Sequence, residues 1–91
     1  MKIAKLIKEL TKDEKRYQAI YELSEPLAGF TEVMVSSINK PKMDMKETMI
    51  FGMLDDGVFW DALPGSLEGV LSHKEALEAA GYDMLTEMTI N

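Results

Sequence analysis

Apolar residues near the start of the chain fall at Ile3, Leu6, Ile7 and Leu10, the i, i+3, i+4, i+7 spacing of one helical face, with the lysines opposite. That spacing predicts a basic amphipathic helix within residues 1–16, and Thr11 with Glu14 offers a capping box for a further turn. Tyr17, Ala19, Tyr21 and Leu23 alternate as a strand does, although Tyr17, Ile20 and Tyr21 also suit a helix. The aromatics favour a strand over 17–23, closed by Pro26. Leu27 to Phe30 reads as a reversal. Residues 31–38 follow as a strand with Val33, Val35 and Ser37 on one side and Glu32, Met34 and Ser36 on the other. Asn39 to Asp44, interrupted by Pro41, is a loop, and 47–54 is apolar on both faces, as a central strand is. Asp55-Asp56-Gly57 predicts a hairpin turn returning through Val58 to Trp60, and Leu63-Pro64-Gly65-Ser66 a type II turn. A second helix is marked at both ends. Ser72 and Glu75 cap its start, Ala76, Leu77 and Ala80 supply a buried face, and Gly81 takes the left-handed stop with Tyr82 sealing it. Met84, Thr86, Met88 and Ile90 alternate, so 82–91 reads as an edge strand.

The expected architecture is one α+β domain over residues 1–91: a small antiparallel sheet with an N-terminal helix and a C-terminal helix. The strands and turns occupy 17–71 and the second helix 72–81. With 46% hydrophobic and 29% charged residues, the composition is that of a folded domain rather than a disordered chain. There is no cysteine, which excludes disulfides, thiolate metal sites and cysteine nucleophiles. No apolar run approaches the roughly 20 residues that cross a bilayer. Lysines interrupt the apolar residues at the N-terminus and no small-residue cleavage site follows, so the expected location is the cytoplasm.

Charge sharpens this picture. Residues 1–16 stand at +3, the rest at −9, and the part from Glu47 onward at −8, within a net charge of −6. Such a body repels nucleic-acid phosphates and is attracted to basic protein surfaces. The basic N-terminal segment has only four apolar residues in its stripe and no aromatic, so packing on the sheet is favoured over membrane binding.

Catalytic patterns are absent. His73 is the only histidine, and the spacing puts it in the first turn of the second helix, where the dipole disfavours its charged form; it reads as a solvated helix-start residue. Gly65 to Gly69 matches a nucleophile elbow only out of register, Asp55 and Asp56 lack the spacing of a calcium loop, and no glycine-rich phosphate loop occurs. Neither a metal nor a cofactor is expected. Eight methionines stand out. Most suit core filling, whereas Met43 and Met45, flanking Asp44 in the Pro41 loop, would mark an interaction edge if exposed. Trp60 divides between a structural role and an interface anchor.

The order Glu47-Thr48-Met49-Ile50-Phe51, Asp56-Gly57, Trp60, Leu63-Pro64-Gly65-Ser66, Gly69, His73, Ala76-Leu77 and Ala80-Gly81-Tyr82 resembles a group of short uncharacterised bacteriophage and prophage proteins. The likeness covers residues 17–83, including Tyr21-Glu22-Leu23 and Val33-Met34-Val35-Ser36-Ser37. It implies a phage accessory protein acting in an infected bacterium, without an assigned activity.

The leading expectation is therefore a non-enzymatic acidic module that binds and modulates a host protein with a basic surface, such as a defence or transcription component. Asp55, Asp56, Trp60, Asp61 and Glu68 form the expected contact set. An alternative is an oligomer that sequesters a nucleotide or other small molecule, with Lys40, Lys42 and Lys46 or the N-terminal lysines meeting its phosphates. A third is a minor virion or assembly component. Self-association is compatible with all three.

Overall fold

The chain first reverses at Asp13, whose Oδ1 accepts hydrogen bonds from the backbone N–H groups of Lys15 and Arg16, both at 2.8 Å. This turn joins β1 (Ile3–Lys12) to β2 (Arg16–Leu27). Ala28 and Gly29, both at positive φ, make the next two-residue hairpin, into β3 (Phe30–Lys40). A 3-10 turn at Pro41–Met43, ending on left-handed Asp44, leads to β4 (Met45–Met53); β5 is Phe59–Glu68, α1 His73–Ala79 and β6 Asp83–Leu85. The computed structural model describes residues 2–54, 59–69 and 72–85, with 59–68 and 85 followed as backbone.

The strands lie in the order β5-β4-β3-β2-β1-β6. Five long strands form an antiparallel meander, and the short β6 adds to the outside of β1 in parallel. Among the described residues the protein is thus mostly β with one short α-helix late in the chain, and the expected N-terminal helix is a strand. The cause lies in the pairing of β1 with β2. Leu6 faces Tyr21 and Lys8 faces Ile20, leaving Ile7 as an extra residue; Glu9 faces Ala19 and Thr11 faces Gln18, leaving Leu10 as another. Each bulge inserts one residue and resets the alternation of a strand. Two resets three residues apart convert a period of two into the spacing of a helix, and the two inserted residues, Ile7 and Leu10, stand exposed.

Two further expectations change for sheet-level reasons. Pro26 does not close the second strand, which continues to Leu27. Leu63-Pro64-Gly65-Ser66 is not a turn but part of β5, the outer strand, where Pro64, Gly65 and Ser66 fall in a register shift opposite Met49 and leave the ladder. The Asp55-Asp56-Gly57 turn and the final residues of the expected 82–91 strand lie outside the described residues.

The helix forms as its local signals dictate. Ser72 Oγ accepts from Glu75 N–H at 3.1 Å. At the other end the N–H groups of Gly81 and Tyr82 donate to Glu78 and Leu77 carbonyls, both at 2.9 Å, with Gly81 at φ +98. The helix packs on β3, β4, β5 and β6. Seven residues span only about 10 Å, whereas five inter-strand spacings span about 24 Å, so the sheet curls for one helix to meet both outer strands. Ala19, Tyr21, Leu23, Val33, Val35 and Ile50 line the covered face, joined by Ala4, Ala76, Leu77 and Tyr82.

Gly52 sits where this core is tightest. A Cβ there would lie 2.6–2.8 Å from the Phe30 ring. Gly52→Ala should lower stability by about 1–3 kcal/mol through overpacking, and thermal melts should show part of the loss recovered when Phe30→Leu is added.

Candidate functional site

Odd-numbered residues of β2 face the helix, so Tyr17 and Tyr21 stand on one face, and His73 enters from the first turn of α1. The imidazole stacks on the Tyr17 ring, with centroids 4.1 Å apart and planes at 11°. Its Nε2 lies 3.0 Å from the Tyr17 carbonyl oxygen, which can only accept, so Nε2 carries the proton. Nδ1, 2.8 Å from Tyr21 Oη, is then the acceptor of the phenol proton. Tyr17 donates in turn to Glu9 Oε2 at 2.7 Å, and Lys12 Nζ lies 5.2 Å from the centre of the Tyr17 ring.

His73 is only 5% exposed, which corrects its expected solvated position. Burial pushes its pKa from the ordinary 6.5 to about 4, against smaller opposing effects of the Tyr17 carbonyl and Glu9. Burial also raises Tyr21, and burial followed by the bond to Glu9 raises Tyr17. The trio is a neutral, hydrogen-bonded clamp between helix and sheet. Both ring nitrogens are engaged in tying α1 to β2.

The expected contact set is divided. Asp55 and Asp56 lie outside the described residues. Trp60 and Asp61 belong to the beginning of β5 and Glu68 to its end, opposite Glu47. Phe59 and Glu68 pair with Met53 and Glu47, six steps apart on β4, so β5 places Glu68 about 20 Å from the start of the strand that holds Trp60 and Asp61, and Glu68 does not join them. The three lysines of the alternative do gather, at the opposite end of the sheet from Ala28-Gly29: Lys40 and Lys46 flank the 3-10 turn holding Lys42, and all three are exposed. An open groove of about 570 Å³ adjoins them, lined by Met43, Asp44, Met45, Lys46, Glu47 and Gly69. Asp44 and Glu47 oppose a phosphate there. Met43 is 67% exposed, and Met45 is half-buried.

No group of three or more metal-ligating side chains occurs among the described residues, and none of their helices is long and apolar enough to cross a membrane. No family model matches the chain, and neither a curated protein nor a solved structure does.

The face of the sheet turned away from α1 holds Glu32, Met34 and Ser36, the second side expected of 31–38, and the second apolar side expected of 47–54. Ile20, Met34 and Phe51 lie directly across from one another on β2, β3 and β4, and Met49 stands beside Ser36 in the neighbouring row. Met34 is 4% exposed yet is no part of the helix-side core. Met45, Glu47, Met49, Phe51 and Met53 share this face by alternation. The positions between, Thr48, Ile50 and Gly52, are buried on the helix side, so 47–53 carries apolar residues on both faces as a central strand does.

Proposed function

We propose that this protein is a non-enzymatic interaction module that binds a basic protein surface. One observation supports it most: the only imidazole is buried and both its nitrogens are spent on joining α1 to the sheet. What remains for recognition is shape and charge, and the charge is acidic at −6. The contact set centres on Asp55, Asp56, Trp60 and Asp61, which lie within seven positions of one another in the sequence, with Glu68 at the end of β5 as an outlying member. Taken with the phage resemblance, the partner is a protein inside the bacterial host, and the protein acts by occupying the surface that partner uses for nucleic acid.

The test is affinity capture from bacterial lysate at low and high salt, with the wild type beside Trp60→Ala and Asp55→Lys/Asp56→Lys. One host protein should be enriched, at least tenfold less at high salt and in the charge-reversed variant. Equal capture by wild type and both variants would overturn the site. Capture insensitive to salt would overturn the electrostatic reading.

A further inference from the structure

The groove beside the 3-10 turn carries two thioethers. Met43 ends that turn and Met45 begins β4, with Asp44 between them in the left-handed conformation. Backbone bonds fix this frame from both sides: Asp44 N–H donates to the Pro41 carbonyl at 3.1 Å, and Gly69 N–H to the Lys46 carbonyl at 2.6 Å. Both methionines line the same open groove, together with Asp44, Lys46 and Glu47. Among the described residues, no large apolar side chain is more exposed than Met43. A methionine that fills a core gap is covered, so packing does not account for this one.

Charge and donor type together select what the groove holds. Asp44 and Glu47 outweigh Lys46 in the lining, which favours a cation. Hard ions such as calcium need many oxygen donors, and no three His, Asp or Glu side chains gather among the described residues. Thioethers instead select copper(I) and its chemical relatives. The chain has no cysteine, and its one imidazole is buried with both nitrogens engaged, so no better soft donor competes. We infer that Met43 and Met45 form a binding site for a soft monovalent cation, copper(I) by its chemistry, with the carboxylates of Asp44 and Glu47 balancing its charge. Each methionine turns about three side-chain bonds, so sulfurs two residues apart can converge on one ion. A thioether has no proton to lose, and binding needs neither oxidation nor reduction. Lys46 works against the ion, and exposed Lys40 and Lys42 lie close in sequence, so removing the Lys46 charge should tighten binding.

The site shares no residue with the proposed partner site, so either can fail without the other. The experiment is an NMR titration of the full chain, isotope-labelled at its methionine methyl groups, with silver nitrate in chloride-free buffer. Silver(I) is the redox-inert probe for copper(I). Of the eight methyl signals, those of Met43 and Met45 should move together and saturate at one equivalent, while the rest hold still. Met43→Leu and Met45→Leu keep the volume; each removes and thereby assigns its own signal, and each should weaken binding by about tenfold or more. Lys46→Gln should strengthen it about threefold. Unchanged signals from the remaining methionines show that the variants fold. Copper(I), added under nitrogen, should displace silver and move the same two signals; failure to do so overturns the copper assignment. Shifts confined to Met43, or spread over other methionines, mean an adventitious ion only and overturn the site. Equal affinity in the double leucine variant, or a response to calcium as strong as that to silver, overturns the role of sulfur.

Discussion

Acidification from pH 7 to pH 4 is expected to cost the fold about 2–3 kcal/mol through His73 alone. In the unfolded chain the imidazole takes up a proton near its ordinary pKa of 6.5, while burial holds the folded value at about 4. Below 6.5 the unfolded state therefore binds the extra proton, and stability falls as the pH drops from 6.5 towards 4, where the folded protein begins to charge as well. A shift of that size corresponds to about 3 kcal/mol, and water near the exposed Glu9 and Lys12 brings it towards 2. Protonation puts a second donor at Nδ1, opposite the phenol proton of Tyr21. Asp13, held low by the Lys15 and Arg16 amides, acts in a separate window below 3.8. Urea titrations at half-unit pH steps should show the slope between 6.5 and 4 in the wild type and lose it in His73→Gln. A slope that survives that substitution would assign the acid sensitivity elsewhere.

Tyr82→Ala is expected to remove about 3–5 kcal/mol, a large share of the 5–15 kcal/mol that stabilises a domain of this size. The side chain is 1% exposed and packs between the end of α1 and the sheet, where its hydroxyl donates to the Glu25 carbonyl at 2.7 Å. Its backbone N–H closes the helix on Leu77. Truncation therefore opens a cavity and leaves the Glu25 carbonyl unmatched at the point where helix, β2 and β6 meet. Tyr82→Phe keeps the ring and should cost only about 1 kcal/mol. The two variants, compared by urea unfolding with an unchanged m-value, separate packing from the hydrogen bond. Equal losses would mean that the hydroxyl, not the ring, holds the corner.

The parts of this fold legible in the sequence are those whose causes are local. The Ser72 cap, the Gly81 stop and the Tyr82 seal involve residues within a few positions of one another, and the turn at Leu27–Phe30 forms on its own two central residues. What was misread depends on distant partners. The bulges of β1 exist only against β2, and Pro64 is accommodated in an irregularity of the β4–β5 pairing on an outer strand. His73 read as solvated because its helix position was visible and its partners, 52 and 56 residues away, were not. The gathering of Lys40, Lys42 and Lys46 followed from one short loop; the carboxylates of Asp44 and Glu47 in the same groove weigh against its use for phosphate. Sequence proximity also suggested that Glu68 joins Trp60, and a continuous strand separates them.

The pairing of Ile3 with Asp83 has a consequence for synthesis of the chain. The five long strands follow one another in order, so each can pair with its predecessor as it leaves the ribosome. The strand made first, however, receives its outer neighbour only when the last described strand emerges, and the helix covering the core is made just before it. Until then the faces of Tyr21, Val35 and Ile50 have no lid. Contacts of such long separation slow folding and prolong exposure of apolar surface. A nascent chain halted before His73 should therefore remain open to chaperones and proteases, and protection should arrive in one step with the residues from His73 to Leu85.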